Sequence, residues 1–560
     1  MRGEVAGAAL LIIVGVGSRL LFVGAFPTLA FWDSLQLIHF AELIRSNGVA
    51  APGWYWGQFN PGLPMILALI LKLHLPVVTS ARFATALVTG LLGLAPFLIW
   101  RGVVAFRWRL VAGLLLALWP GQIVFSGVVV QDNWVLPPMV LLACLAVRRL
   151  RSATGRAWPL SASVLFVMCF AIRQEMIIAL LPLAIASGIS NKASGRRARD
   201  VVAMAAVLGT FVALLCLQRW QATGRFTLAT EHGALGLFGS FMPGAGTEGW
   251  IDARPYAAAR DPSAQQGLFG SPGQLLRLTA EEVERRPAFH ALRIIAWLPR
   301  LALDADADAL HWSMGVPQSL TTEIRPRADA FLHYARPLSV AVLALIQGAF
   351  VAALLIGIRR RRSDILLLAS AVALKFAIHM VVSPLGRLVL PAVALELLAI
   401  PLGAAELAHL TSRQRARILL VGAGTAAMLL LLTPPLAGLV ARLDSRELVG
   451  IHSFRLDAGR ECAIHCEVLR GEVIGLTPNI AAVRNAELAC FLPLPPQDAR
   501  LELRVEGAPV DVIAERQVLQ PFSERTYLIR SPGEVSRVGI ESTGGGITAL
   551  QFRITEQNAE

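Results

Sequence analysis

Apolar runs of span length recur along most of the chain, separated by short polar connections, from Leu10–Phe26 near the start to Ile418–Ala441 far downstream. Roughly 20 apolar residues carry an α-helix across the hydrocarbon core of a bilayer. The pattern predicts spans near 7–26, 79–100, 110–129, 133–147, 157–172, 173–189, 200–218, 337–357, 365–384, 387–408 and 417–441. The run from Pro61 to Pro76 is also apolar, but it has only 16 residues, is bracketed by prolines and carries Lys72 and His74 near its end. It is expected to lie along the membrane surface. Past residue 445 the period changes to two, in Leu501-Glu-Leu-Arg-Val505, Val510-Asp-Val-Ile and Ile547-Thr-Ala-Leu-Gln-Phe552, with turn signals at Gly507-Ala-Pro, Ser531-Pro-Gly and Gly544-Gly-Gly.

The expected fold is therefore an α-helical polytopic membrane protein with about 11 transmembrane helices over 1–444 and a small β-rich domain over 445–560. With 55% hydrophobic and 16% charged residues in 560, the composition excludes a soluble globule. The net charge of +13 does not point to nucleic acid, because the basic residues sit in clusters between apolar runs. These are Arg101, Arg107 and Arg109; Arg148, Arg149, Arg151 and Arg156; Lys192, Arg196, Arg197 and Arg199; Arg359 to Arg362; and Arg413, Arg415 and Arg417. They recur at every second connection, as the positive-inside rule requires. The N-terminus is placed in the cytoplasm and the C-terminus outside, with outer loops at about 27–78 and 219–336. Counting 61–76 as a span would break this alternation. Leu10–Phe26 is followed by no A-x-A cleavage site, so the first segment is expected to stay as a span.

Cys144, Cys169 and Cys216 lie in apolar segments and read as small core residues, whereas Cys462, Cys466 and Cys490 lie in the polar region beyond. There the choice is open between one disulfide, with three pairings, and a zinc site with His465.

Ionisable groups inside spans are costly and mark function by default. Lys375, His379, Ser383 and Arg387 recur every four residues and form a basic stripe rising to the outer surface, suited to an anionic lipid headgroup. The competing reading pairs Lys375 with Glu396 of the next span. Asp33 opens an amphipathic stretch at the membrane edge, where an N-cap is its plain role. Trp54-Tyr-Trp-Gly-Gln58 follows, aromatic enough to stack on sugars or to sit in the headgroup belt. Asp132 stands at an outward turn, and Arg173 and Glu175 at another, where they can simply pair. Glu231 and His232 are candidates to approach a sugar. Asp304, Asp306 and Asp308 read as a solvated face rather than a cation site, because no calcium-loop spacing follows.

Trp32-Asp33, Asn60-Pro-Gly-Leu-Pro-Met65, Ser80-Ala-Arg82 through Gly90, Trp119-Pro-Gly-Gln-Ile-Val-Phe-Ser126 through Gln131-Asp132, Arg173-Gln-Glu175, Arg286-Pro-Ala-Phe289 and Gly386-Arg387-Leu-Val-Leu-Pro391, in this order, resemble the GT-C superfamily of membrane glycosyltransferases. The resemblance is greatest to family 39, which includes the protein O-mannosyltransferases and the lipid A aminoarabinose transferases. It covers 1–190 and 337–410. The resemblance implies a polyprenyl-phosphate-linked sugar as donor, Asp33 at the reaction centre, Asp132 shaping the same site, and Arg387 on the lipid phosphate. The chain departs from the family at Gln58, Phe59 and Asn60, and at Leu388 after Arg387. These departures bear on sugar and acceptor more than on reaction class.

On this reading Asp33 is the base for an acceptor hydroxyl, and the anomeric carbon inverts. Arg387, with Arg82, Arg173, Lys375 and His379, steadies the departing phosphate. Trp54, Trp56, Gln58, Glu231 and His232 are the sugar- or acceptor-binding candidates. No cofactor is required, and a divalent metal is not called for. The partners are the lipid-linked sugar, a glycan, lipid or protein acceptor, and the bilayer. The expected location is a bacterial inner membrane with the active face in the periplasm. The competing class is a transporter or flippase using the basic stripe as a path, against which no inverted repeat is found.

Overall fold

The computed structural model describes residues 2–31, 33–49, 56, 59–152, 158–189, 194–228, 230–241, 272–316, 319–382 and 385–445, and strand backbone between 449 and 556. Among them, eight helices are long and apolar enough to cross a membrane. The protein is a helical polytopic membrane protein.

The helices in chain order are α1 Arg2–Ala25, α2 Asp33–Asn47, α3 Gly62–Lys72, α4 Val77–Gly90, α5 Leu94–Ile99, α6 Phe106–Ala117, α7 Pro120–Phe125, α8 Gln131–Arg151, α9 Pro159–Ile172, α10 Met176–Ala179 and α11 Leu181–Gly188. They continue as α12 Ser194–Thr223, α13 Glu231–Phe241, α14 Pro272–Arg285, α15 Pro287–Leu310, α16 Arg325–Arg360, α17 Ser363–Val381, α18 Leu390–Leu407 and α19 Ser412–Ser445. A π-helical turn, His311–Gly315, follows α15, and a 3₁₀ turn, Gly386–Val389, leads into α18.

Four expected spans differ in form, and that at 79–100 is divided into α4 and α5 by a turn at 91–93, the two together counting as one of the eight. The segment expected at 110–129 is broken between α6 and α7, where Trp119 is extended (φ −60°, ψ 112°) ahead of Pro120. Proline disfavours helical geometry in the residue before it and cannot donate to the turn before. The segment expected at 173–189 is broken at Leu180, with Pro182 in the next turn. The α9 segment keeps only 14 helical residues. The apolar run near 61–76 holds an 11-residue helix, α3.

By compactness the chain forms two units. The first comprises Met1–His232, Leu298–Met380 and Pro384–Pro434. Its core is built around α8 and α18: 67% of the α8 apolar window is buried, and 83% of the window of the Gly386–Leu407 segment. In contrast, α12 buries 11% and α1 22%. An apolar helix with so little protein cover is one whose outer face suits lipid.

Three of the basic connections are tied by ion pairs between helix ends of this unit. Arg109 at the start of α6 pairs with Glu4 at the start of α1 at 2.6 Å. Arg151 at the end of α8 pairs with Asp364 at the start of α17. Arg362 reaches both Asp364 and Glu406, at 3.2 and 3.1 Å. At the other end of α1, Arg82 near the start of α4 donates to the Val23 carbonyl at 2.8 Å.

Between these ends α1 and α4 touch backbone to backbone through Gly15 and Gly90; a Cβ on Gly90 would lie 2.7 Å from Val16 Cα, and one on Gly15 would strike the Gly90 carbonyl. Small residues at such crossings let backbones approach. Gly15→Ala is expected to destabilise the protein by about 1–3 kcal/mol through overpacking, seen as an earlier thermal transition in detergent.

The second unit comprises Gly233–Trp297, Val381–Ser383 and Pro435–Glu560. Its strands, β1 Val449–Arg455, β2 Glu461–Thr477, β3 Ile480–Phe491, β4 Ala499–Gly507, β5 Val510–Ala514, β6 Gln517–Leu519, β7 Thr526–Arg530, β8 Arg537–Ser542 and β9 Gly546–Glu556, pair antiparallel. Their order is β6-β5-β8-β3-β9-β4-β7, with β2 on β3 and β1 on β2. The register of β2 on β3 sets Cys466 opposite Cys490 and leaves Cys462 opposite Phe454 of β1.

Candidate functional site

The site begins with two loops tied together. Thr28 donates its hydroxyl to the Gly127 carbonyl, and the Ser34 hydroxyl donates to the Val129 carbonyl at 2.9 Å. Asn133 holds the second loop in shape from inside, donating to the carbonyls of Phe125 and Val128 at 2.8 Å each, while Gln122 donates to its side-chain oxygen at 3.0 Å. The start of α2, with Asp33, is thus fastened beside the start of α8, with Asp132.

Asp132 does not cap α8: Val130 occupies that position without a side-chain bond. Its carboxylate instead takes the Arg173 guanidinium, with Nε at 3.1 Å. Arg173 Nε also lies 3.4 Å from Glu175. Glu175 in turn accepts from Lys375 Nζ at 3.0 Å, and His379 Nε2 lies 3.9 Å from the same oxygen. Lys375 and His379 therefore share one face of α17, as the four-residue spacing implies. The alternative partner for Lys375 is corrected: Glu396 accepts from Gln347, at 2.9 and 3.1 Å.

Arg387 stands in the 3₁₀ turn before α18. Its Nη2 lies 3.7 Å from an Asp33 carboxylate oxygen, and its backbone N–H donates to Asp308 at 2.8 Å. Its guanidinium carbon sits 3.2 Å from the centre of the Trp312 ring. The Arg387 side chain is 10% exposed and that of Asp33 36%, so the carboxylate is the accessible member of the pair. Nη1 of Arg387 is buried and has no hydrogen-bond partner among the described residues.

The other candidates lie apart or outside the described residues. Arg82 is buried against the Val23 backbone. Trp56 is buried, its ring edge-on to Phe40 at 4.9 Å, so it serves the packing of the first loop. Trp54 and Gln58 lie outside the described residues, as do the side chains of Glu231 and His232 at the start of α13. Asn60, named as part of a motif and as a departure from the family pattern, proves to be a hub: it donates to the Phe170 carbonyl at 3.0 Å and accepts from Arg219 at 3.0 Å.

The three aspartates of α15 do not form one solvated face. Asp304 pairs with Arg300 at 2.9 Å, and burial raises its carboxyl against the pull of that arginine. Asp308 reaches Arg387. Asp306 is fully buried and accepts from the Trp119 indole at 2.9 Å. Burial pushes its carboxyl up to about 7, only partly opposed by the bonds from Trp119 and the Gly121 N–H. An acid whose folded value is raised binds its proton longer when folded than when unfolded. The fold therefore loses stability as pH rises from the ordinary value of 3.8 through about 7. Asp306→Asn keeps the acceptor oxygen and carries no charge. Its melting temperature is expected to exceed wild type above pH 7 and to converge with it near pH 4; an equal offset at both pH values would contradict this account.

Asp308 and Trp312 are the residues sequence reasoning missed. Their four-residue spacing is visible, but nothing local connects it to an arginine 75 positions beyond Trp312. Among the described residues no group of three His, Cys, Asp or Glu is placed to hold a metal ion.

No family model matches the chain, and no curated protein matches it. The chain is similar to solved structures of the oligosaccharyltransferase of Archaeoglobus fulgidus. With the enzyme tethered by a disulfide to an acceptor peptide containing the NVT sequon, identity is 14% and the TM-score 0.38, over 79% of this chain and 55% of that one. With AglB in complex with an inhibitory peptide and a dolichol-phosphate, identity is 16% and the TM-score 0.39, over 79% and 56%. With the apo form the values are 16% and 0.38, again over 79% and 56%. The chain spans about half the length of these structures.

Proposed function

We propose that the protein is an integral-membrane glycosyltransferase that moves a sugar from a polyprenyl-phosphate donor to an extracytoplasmic acceptor hydroxyl. The observation that carries this reading is the Asp33–Arg387 pair, an accessible carboxylate 3.7 Å from a nearly buried guanidinium, formed where the apolar helices end. A hydroxyl acceptor needs a base, and a departing lipid phosphate needs fixed positive charge. Asp33 supplies the first and Arg387 the second. The Asp132–Arg173–Glu175–Lys375 chain of ion pairs holds the second rank of charge in place behind them, with Asp132 shaping the site through Arg173. The scheme requires no cofactor. Displacement in line from the face opposite the phosphate inverts the anomeric centre.

With the broken pairs α6–α7 and α10–α11 and the short α9 counted as crossings, we infer eleven passes. The basic connections are then cytoplasmic and Asp33 periplasmic in a bacterial inner membrane. Residues 445–560 follow the last pass as an extracytoplasmic β domain. The test is turnover. The purified protein, incubated with radiolabelled polyprenyl-phosphate hexoses and pentoses and crude envelope acceptors, is expected to release the lipid phosphate. Binding of the lipid with no release from any donor would sink the enzyme reading.

A further inference from the structure

We propose that Trp312 is a positioning residue that sets the plane of the Arg387 guanidinium and thereby aims its Nη1 edge at an oxyanion of a lipid phosphate. This rests on the phosphate role proposed above for Arg387.

The guanidinium is planar, and all its N–H groups lie in that plane, so the plane decides where they point. The guanidinium carbon lies over the Trp312 ring, 3.2 Å from its centre, so the ring covers one face of the group and takes none of its N–H donors. Asp33 stands at the Nη2 edge, while Nη1 has no hydrogen-bond partner among the described residues, although the side chain is nine-tenths buried. A buried donor with no hydrogen-bond partner among the described residues is one that a phosphate oxygen entering the site would satisfy.

Trp312 is itself held from several sides. It belongs to the π-helical turn, closed by the Val316 N–H on the His311 carbonyl at 3.0 Å. Ser313 ties that turn to the Val124 carbonyl at 3.1 Å, and Arg325 donates to the carbonyls of Met314 and Val316. The Phe31 ring packs on Trp312 with centres 5.5 Å apart. One turn earlier, Asp308 takes the Arg387 backbone N–H. The same short segment therefore anchors the backbone of Arg387 through Asp308 and its side chain through Trp312. Wide turns of this kind interrupt a helix where a side chain has to be re-aimed, often at functional sites. Without the ring, the guanidinium is free to tilt towards the surrounding acids Asp33, Asp132 and Asp308, and the Nη1 edge is lost to the ligand.

The experiment measures the affinity of the full-length protein in lipid nanodiscs for a polyprenyl monophosphate, comparing wild type with Trp312→Leu, Trp312→Phe, Arg387→Ala and Trp312→Leu/Arg387→Ala. Trp312→Leu is expected to weaken binding about tenfold, Trp312→Phe to stay within about threefold, and the double variant to bind no worse than Arg387→Ala. A merely structural tryptophan would add its loss to that of Arg387→Ala. Wild-type affinity in Trp312→Leu, an equal loss in Trp312→Phe, or additive losses would each overturn the proposal. Unchanged binding in Arg387→Ala would instead overturn the phosphate role itself. Should Trp312→Leu fail to fold, the difference in tryptophan emission between wild type and Trp312→Phe decides: it is expected to shift on titration with the lipid phosphate, and a constant difference overturns the proposal.

Discussion

Asp33→Asn is expected to lower sugar transfer by about 10²–10⁴-fold, the usual contribution of a positioned base, while the lipid phosphate still binds within a few-fold of wild type. Asparagine has nearly the shape of aspartate but cannot take a proton from an acceptor hydroxyl. Donor binding survives because Arg387 keeps Trp312 against its guanidinium and Asp308 on its backbone N–H. The fold should survive as well, since the lost partner is a side chain already 36% exposed. The measurement is release of lipid phosphate under single-turnover conditions beside direct binding of the same lipid. Wild-type release from the variant would remove Asp33 from the reaction. Loss of binding together with release would reassign it to holding the donor.

Arg387→Ala is expected to lose about 10²–10³-fold in transfer, by analogy with the removal of one oxyanion donor, and to weaken lipid-phosphate binding as well. Lysine at this position is expected to restore only part of the loss, because an ammonium is a point charge without a planar fork to lie on Trp312. The carboxylates of Asp33, Asp132 and Asp308 stay behind in the alanine variant, so donor binding acquires repulsion as well as losing attraction. The effect should shrink as salt is raised to the extent that the site is open to solvent. A kcat and KM for the donor both near wild type would refute the assignment.

Much of the candidate site was legible residue by residue, and little of it pair by pair. Asp33, Asp132, Arg173, Lys375, His379 and Arg387 were each marked by an acid or base at a helix end or within an apolar run, and the structure gathers them into the two ion-paired groups at Arg173 and Arg387. Arg82 looked the same in sequence, yet it donates to a backbone carbonyl of α1. Nothing in the pattern around position 82 separates an arginine that fastens two helices from one that faces a ligand. The one acid that sequence logic offered Lys375, Glu396 of the next span, accepts from Gln347 instead, and Lys375 donates to Glu175, which the sequence had paired only with Arg173.

What the chain determined by itself is the solvent it folds in and the connections at which its basic charges collect. Those follow from local quantities: apolar run length against bilayer thickness, arginine clusters at alternate connections, and prolines such as Pro120 that break a helix wherever they fall. Only the tertiary structure decided which charges face each other. Arg387 meets Asp33, Asp308 and Trp312 because α2, α15 and α18 end at one place, and Glu175 meets Lys375 because α10 and α17 do. Helix ends far apart in sequence meet when buried faces fit, and packing of that kind is a property of many side chains at once.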